Sequence, residues 1–177
     1  SALAICVAML GIIINAVIKS SNSFGVDSDI NSSQSEEAQS ETVDPNKVVA
    51  TATVVNTGDI ILHSTVLDGA KTADGNYDFS AFFTAAQDYF KKADLATANF
   101  EVTLGGTESG AFSGYPAFNS PDTLLDTITN SGIGFLTTAN NHCYDTGLYG
   151  LKRTVQQLKA KNISFSGTKE SENDPTY

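Results

Sequence analysis

Cysteine is scarce in this chain of 177 residues. The two present, Cys6 and Cys143, exclude a disulfide-rich scaffold and a cysteine-based zinc finger. A bond between them is not expected, because Cys6 lies in an apolar run, and Cys143 reads as a small buried side chain. Basic residues are also few, 10 Lys and Arg against 20 Asp and Glu. The formal net charge of −10 argues against nucleic acid as a partner, since phosphate binding needs clustered cations. Histidine occurs only twice, as His63 and His142. Formal charge is missing altogether from Ala2 to Ile18. The remaining composition, 41% hydrophobic and 17% charged, is that of a globular chain and excludes wholesale disorder.

The hydropathy pattern divides the chain into three parts. Residues 1–18 contain the run ALAICVAMLGIIINAVI, apolar on every side. A helix of that length spans roughly 25 Å, the short end for a bilayer crossing. Its exit at Val17-Ile18-Lys19 lacks the small residues of a signal-peptidase site, so the reading is an uncleaved transmembrane anchor. Residues 19–47 are rich in Ser, Asn, Asp, Glu and Gln and bury too little apolar surface to offset ordering entropy; they are expected to be a disordered acidic linker.

Residues 48–177 read as an α/β domain of alternating strands and helices with a mainly parallel sheet. The expected strands are Val48 to Asn56, Asp94 to Asn99, Ile133 to Thr138 and Ile163 to Ser166. One helix is expected after an N-cap at Asp78, with Phe79, Phe82, Phe83, Ala86 and Phe90 at helical spacing. A second starts at Ser120-Pro121, presents Leu124, Leu125 and Ile128, and stops at Gly132. A third runs from Gly147 to Lys161 with Leu148, Leu151, Val155 and Leu158 on one stripe, and Asn162 ends it in the left-handed region.

Ligands of an open parallel sheet bind at the carboxyl ends of its strands. Here those ends deliver Asp59 with His63 just beyond, then Asn99 and Glu101, then Asn140, Asn141 and His142. Carboxylates, amide oxygens and imidazole suit a divalent ion such as Mn²⁺, Mg²⁺, Zn²⁺ or Fe²⁺. Taken singly, each has a structural alternative. Gly58-Asp59 is a common turn, Asn140 and Asn141 tolerate left-handed turns, Glu101 suits a helix cap, and His63 packs beside Leu62 and Leu67.

The segments Gly58-Asp59-Ile60-Ile61-Leu62-His63, Ala93-Asp94 to Asn99-Phe100-Glu101, Tyr115 to Pro121, and Thr138-Ala139-Asn140-Asn141-His142 resemble the CapA family of bacterial capsule-synthesis proteins. Asp145, Gly147 and Gly167-Thr168 continue the match, which covers about Thr53 to Thr168. The resemblance implies a fold like half of a metallophosphoesterase sandwich. It also implies a divalent metal site of two ions in the full-length protein, held by Asp59, Glu101 and Asn141. His142 would be the catalytic acid, and His63, Asn99, Asn119 and Asn140 would contact substrate or support the ligands. It implies poly-γ-glutamate or another anionic capsular polymer as partner, with the membrane and synthase subunits, and a domain on the extracellular side. The family carries a downstream His-containing motif, and no His follows His142 here, so the chain is expected to be the N-terminal portion of a longer protein.

Two functional classes are open, a metal-dependent hydrolase of phosphoesters or γ-glutamyl polymer and a non-catalytic polymer-binding subunit of the synthase. A generic secreted phosphoesterase is a third.

Overall fold

The computed structural model describes residues 50–174. The expected membrane segment, the acidic linker and Cys6 lie outside the described residues. Among the described residues no helix is long and apolar enough to cross a membrane.

Four parallel strands form one sheet in sequential order: β1 (Val54–Ile60), β2 (Leu95–Phe100), β3 (Phe135–Thr137) and β4 (Ser164–Ser166). The helices α1 (Ser64–Ala70), α2 (Ser80–Phe83), α3 (Gln87–Lys92), α4 (Thr123–Ser131) and α5 (Gly147–Ala160) lie in the crossovers, with a single 3₁₀ turn at Thr107–Ser109. The α/β reading with alternating elements and a parallel sheet therefore holds.

The pleat sorts the strands into two faces. Ala98, Leu136 and Phe165 stand abreast across β2, β3 and β4 and turn toward the helices. There they join Leu67, Phe90, Leu124, Leu125, Ile128 and Leu158 in one core. The apolar stripe of α4 is wholly buried, and each such side chain contributes about 1.5–3 kcal/mol. The opposite face, with Leu95, Thr97, Phe135 and Thr137, is more open, and Leu95 is 41% exposed.

Several boundaries differ from the sequence reading. β1 is not cut at Thr57-Gly58-Asp59 but runs through it. Gly58 takes φ +81 and the ladder skips between Asn56 and Asp59, a bulge that lets the strand continue to Ile60. The expected Phe-rich helix is two short ones, α2 and α3. Asp78 still accepts the Ser80 N–H at 2.9 Å, although Phe79 holds the cap position. Ser120 does not cap α4. The cap residue is Asp122, whose carboxylate grips Arg153 in a two-pronged pair at 2.7 and 2.8 Å, and the buried Ser120 hydroxyl has no hydrogen-bond partner among the described residues. Gly132 (φ +100) and Asn162 (φ +53) end α4 and α5 in the left-handed region, as their residue types require.

Candidate functional site at the carboxyl end of the sheet

The bulge at Gly58 sets the site. By skipping a register step it brings Asp59 level with Asn99 on β2, which is level with Thr137 on β3. A polar row thus crosses three strands on the more open face, at the end of the sheet where parallel sheets hold ligands.

Asn99 organises that row. Its Nδ2 donates to Asp59 Oδ1 at 2.9 Å and to Glu101 Oε2 at 2.7 Å. Its Oδ1 accepts from Thr137 Oγ1 at 3.3 Å and from Asn140 Nδ2 at 3.1 Å. Donors on one side and acceptors on the other leave the amide a single sensible orientation. Both carboxylates therefore converge on one nitrogen. Among the described residues neither Asp59 nor Glu101 has an ion-pair partner. Two uncompensated negative charges facing a neutral donor make this end of the sheet attractive to a cation.

Asn140 fastens the loop after β3. Its Nδ2 also donates to the Phe100 carbonyl at 3.0 Å, and its Oδ1 accepts the His142 N–H at 3.1 Å. These bonds stabilise the turn and orient the histidine at its end. His142 Nδ1 lies 2.8 Å from Asp145 Oδ2, and the same oxygen accepts the Phe118 N–H at 2.7 Å. With a carboxylate at Nδ1, the neutral imidazole carries its proton there, and Nε2 has no partner among the described residues. The completely buried Phe118 ring meets the His142 ring edge to face at 4.7 Å and the His63 ring at 5.2 Å.

The other expected residues stand apart from that row. His63 is exposed, sits at the start of α1 and touches Phe118. Asn141 is exposed and outside the hydrogen-bonded network. Asn119 is buried, and its amide is fully engaged by the loop. It accepts from Gly105 N at 3.0 Å and donates to Gly106 O at 3.0 Å, with longer contacts to the Gly110 and Ala111 carbonyls. It shapes the loop that presents Phe118 rather than reaching toward a ligand. The structure thus brings together Asp59, Asn99, Glu101 and Asn140, adds Thr137, and pairs His142 with Asp145. Asp145 stands three residues after His142, a spacing at which a side chain folds back on a turn, and that spacing was the available signal.

Among the described residues no three His, Cys, Asp or Glu side chains converge closely enough to hold a metal ion. Asp59 and Glu101 offer two hard oxygen donors. That donor set fits one Mg²⁺- or Mn²⁺-like ion that keeps waters and substrate oxygens in the rest of its shell. Cys143 is half-buried and free.

A family model described as bacterial capsule synthesis protein PGA_cap matches residues 53–177. No curated protein matches the chain.

Proposed function

The chain belongs to the family of bacterial capsule synthesis proteins, and from that premise we propose that it acts on an anionic capsular polymer as a metal-assisted hydrolase, tethered to the membrane with this domain outside. The polymer is poly-γ-glutamate or one of similar charge, and the bond cleaved is a phosphoester or a γ-glutamyl link. Residues 2–18 are the tether, and synthase subunits are the neighbours on that membrane. The metallophosphoesterase-like sandwich, of which this sheet is one layer, belongs to the same reading.

The observation that carries the proposal is the His142–Asp145 pair. An imidazole whose Nδ1 is held by a carboxylate and whose Nε2 has no partner among the described residues is suited to proton transfer. Asp59 and Glu101 would hold a divalent ion, and the family resemblance implies Asn141, exposed next to Asn140, as a further oxygen donor. The ion, when bound, polarises the bond under attack and lowers the barrier to forming hydroxide from water. The chain's own residues do the rest. Asn99 and Asn140 hold the carboxylates and the histidine turn in register. In its charged form His142 delivers a proton from Nε2 to the leaving atom, the ester oxygen of a phosphoester or the amide nitrogen of a γ-glutamyl link, while Asp145 stabilises the imidazolium. Two ions, as the family resemblance implies, require ligands beyond the pair of carboxylates.

The test is release of phosphate from an aryl phosphate, and of fragments from poly-γ-glutamate, in the presence of Mn²⁺. Asp59→Ala and His142→Ala should each abolish the activity. Equal rates in the wild type and both variants would overturn the catalytic assignment. A non-catalytic polymer-binding role is the second reading, and the shortage of converging acidic and imidazole ligands among the described residues favours it.

A further inference from the structure

A cleft with a volume of about 650 Å³ lies not at the strand ends but beside β4. Phe135, Ile163 and Phe165 line it, together with Lys159 and Lys169, and no acidic side chain does. In a chain with twice as many acids as bases, that lining is against the composition. From Thr146 to Lys169 there are five cations, Lys152, Arg153, Lys159, Lys161 and Lys169, and no Asp or Glu.

Lys159 does not stand alone. Glu170 Oε2 lies 3.3 Å and Asp174 Oδ2 3.1 Å from its Nζ, so two carboxylates from the segment after β4 sit on the ammonium at the rim of the cleft. The cleft is also tied to the site. Its lining residue Thr168 donates through both N–H and Oγ1 to Thr138 Oγ1, at 2.9 and 2.8 Å, two residues before Asn140.

We propose that this cleft is the docking groove for a carboxylate-bearing polymer chain, and that Glu170 and Asp174 occupy Lys159 as internal stand-ins for the polymer's own carboxylates. The groove thereby leads the polymer toward the Asn140–His142 turn. This rests on the reading of an anionic polymer as substrate. The chemistry matches a γ-glutamyl repeat on both counts: its methylenes lie against the apolar wall, and its pendant carboxylates replace Glu170 and Asp174 on the Lys159 ammonium. Exposed ion pairs are individually weak, so the exchange is near balance and governed by salt.

The experiment is fluorescence anisotropy of labelled poly-γ-glutamate with the full chain in neutral detergent, at low and raised salt, with labelled dextran as the uncharged control. Lys159→Gln/Lys169→Gln should weaken binding by about fivefold or more, the scale set by losing two ion pairs. Glu170→Gln/Asp174→Asn should tighten it by freeing Lys159. Lys92→Gln, which removes an exposed cation in the last turn of α3, should leave it unchanged. Binding indifferent to both double variants, or weakened by neutralising Glu170 and Asp174, overturns the groove while leaving the strand-end site untouched. Absence of any binding to the wild type, or equal binding of dextran, overturns the polymer reading itself.

Discussion

Replacement of Asp145 separates two roles that one oxygen performs. Asp145 Oδ2 accepts from both His142 Nδ1 and the Phe118 N–H. Asp145→Asn can set its carbonyl oxygen in the same place and keep both bonds, so the imidazole retains its Nδ1–H tautomer and only the charge is lost. Charge-assisted hydrogen bonds contribute about 1 kcal/mol more than neutral ones, so two of them put the cost of the amide near 2 kcal/mol. Asp145→Ala removes both bonds and leaves the N–H of a completely buried Phe118 unsatisfied, for about 3–5 kcal/mol. Stability is read as the denaturation midpoint at constant slope. The tautomer is read from long-range ¹H–¹⁵N spectra, which are simple because the chain has two histidines. The expected outcome is Nδ1–H in wild type and Asp145→Asn, and a mixture of tautomers in Asp145→Ala. Hydrolysis should fall by about 10²-fold or more in the alanine variant, the scale of a lost general acid. An Nε2–H tautomer in Asp145→Asn, or an unaltered spectrum in Asp145→Ala, would refute the reasoning.

The buried loop and the segment after β4 offer two further tests. Asn119→Ala strands the buried Gly105 N–H and takes one of two donors from the Gly106 carbonyl, which keeps the Ser109 N–H at 3.3 Å, and should cost about 1–3 kcal/mol; a midpoint shift worth less than about 0.5 kcal/mol would contradict that role. Glu170 is held below the usual carboxylate range by its hydrogen bond from Gln156 and then by Lys159, and Asp174 by the Glu170 N–H and then by Lys159. Groups lowered in the folded state contribute stability above the ordinary carboxylate range and lose it as pH falls through the lowered values. The Glu170 amide resonance should therefore move only below that range, and a titration at the ordinary carboxylate value would count against the pairing.

Features that repeat or punctuate were legible in the sequence. The stripe Leu124-Leu125-Ile128 marks α4; of the expected α5 stripe Val155 and Leu158 are buried while Leu148 is exposed, and Gly132 and Asn162 end the two helices because their residue types accept positive φ. The strand-end rule placed Asp59, Asn99, Glu101 and Asn140 together without any contact being known. Other features were hidden for physical reasons. α1, with Leu67 and Ala70 as its buried residues, is too short to display a period. Thr57-Gly58-Asp59 has the composition of a turn, yet the sheet absorbs Gly58 as a bulge because pairing continues on its far side. Asn119 has the residue type of a substrate contact, and only the path of residues 105–111 shows that its amide closes a buried loop. Ser120-Pro121 has the composition of a helix start, but α4 begins two residues later, where Asp122 is drawn to Arg153.

The central claim is that Asp59, Glu101 and the Asn140–His142 turn form one cation-binding, chemically competent end of the sheet. Paramagnetic broadening by Mn²⁺ in the ¹⁵N spectrum of the full chain tests it most directly. The account expects saturable broadening centred on Asp59, Glu101, Asn141 and His142, abolished by Asp59→Asn/Glu101→Gln. Broadening that spreads evenly over surface carboxylates, or that survives the double substitution, would contradict it.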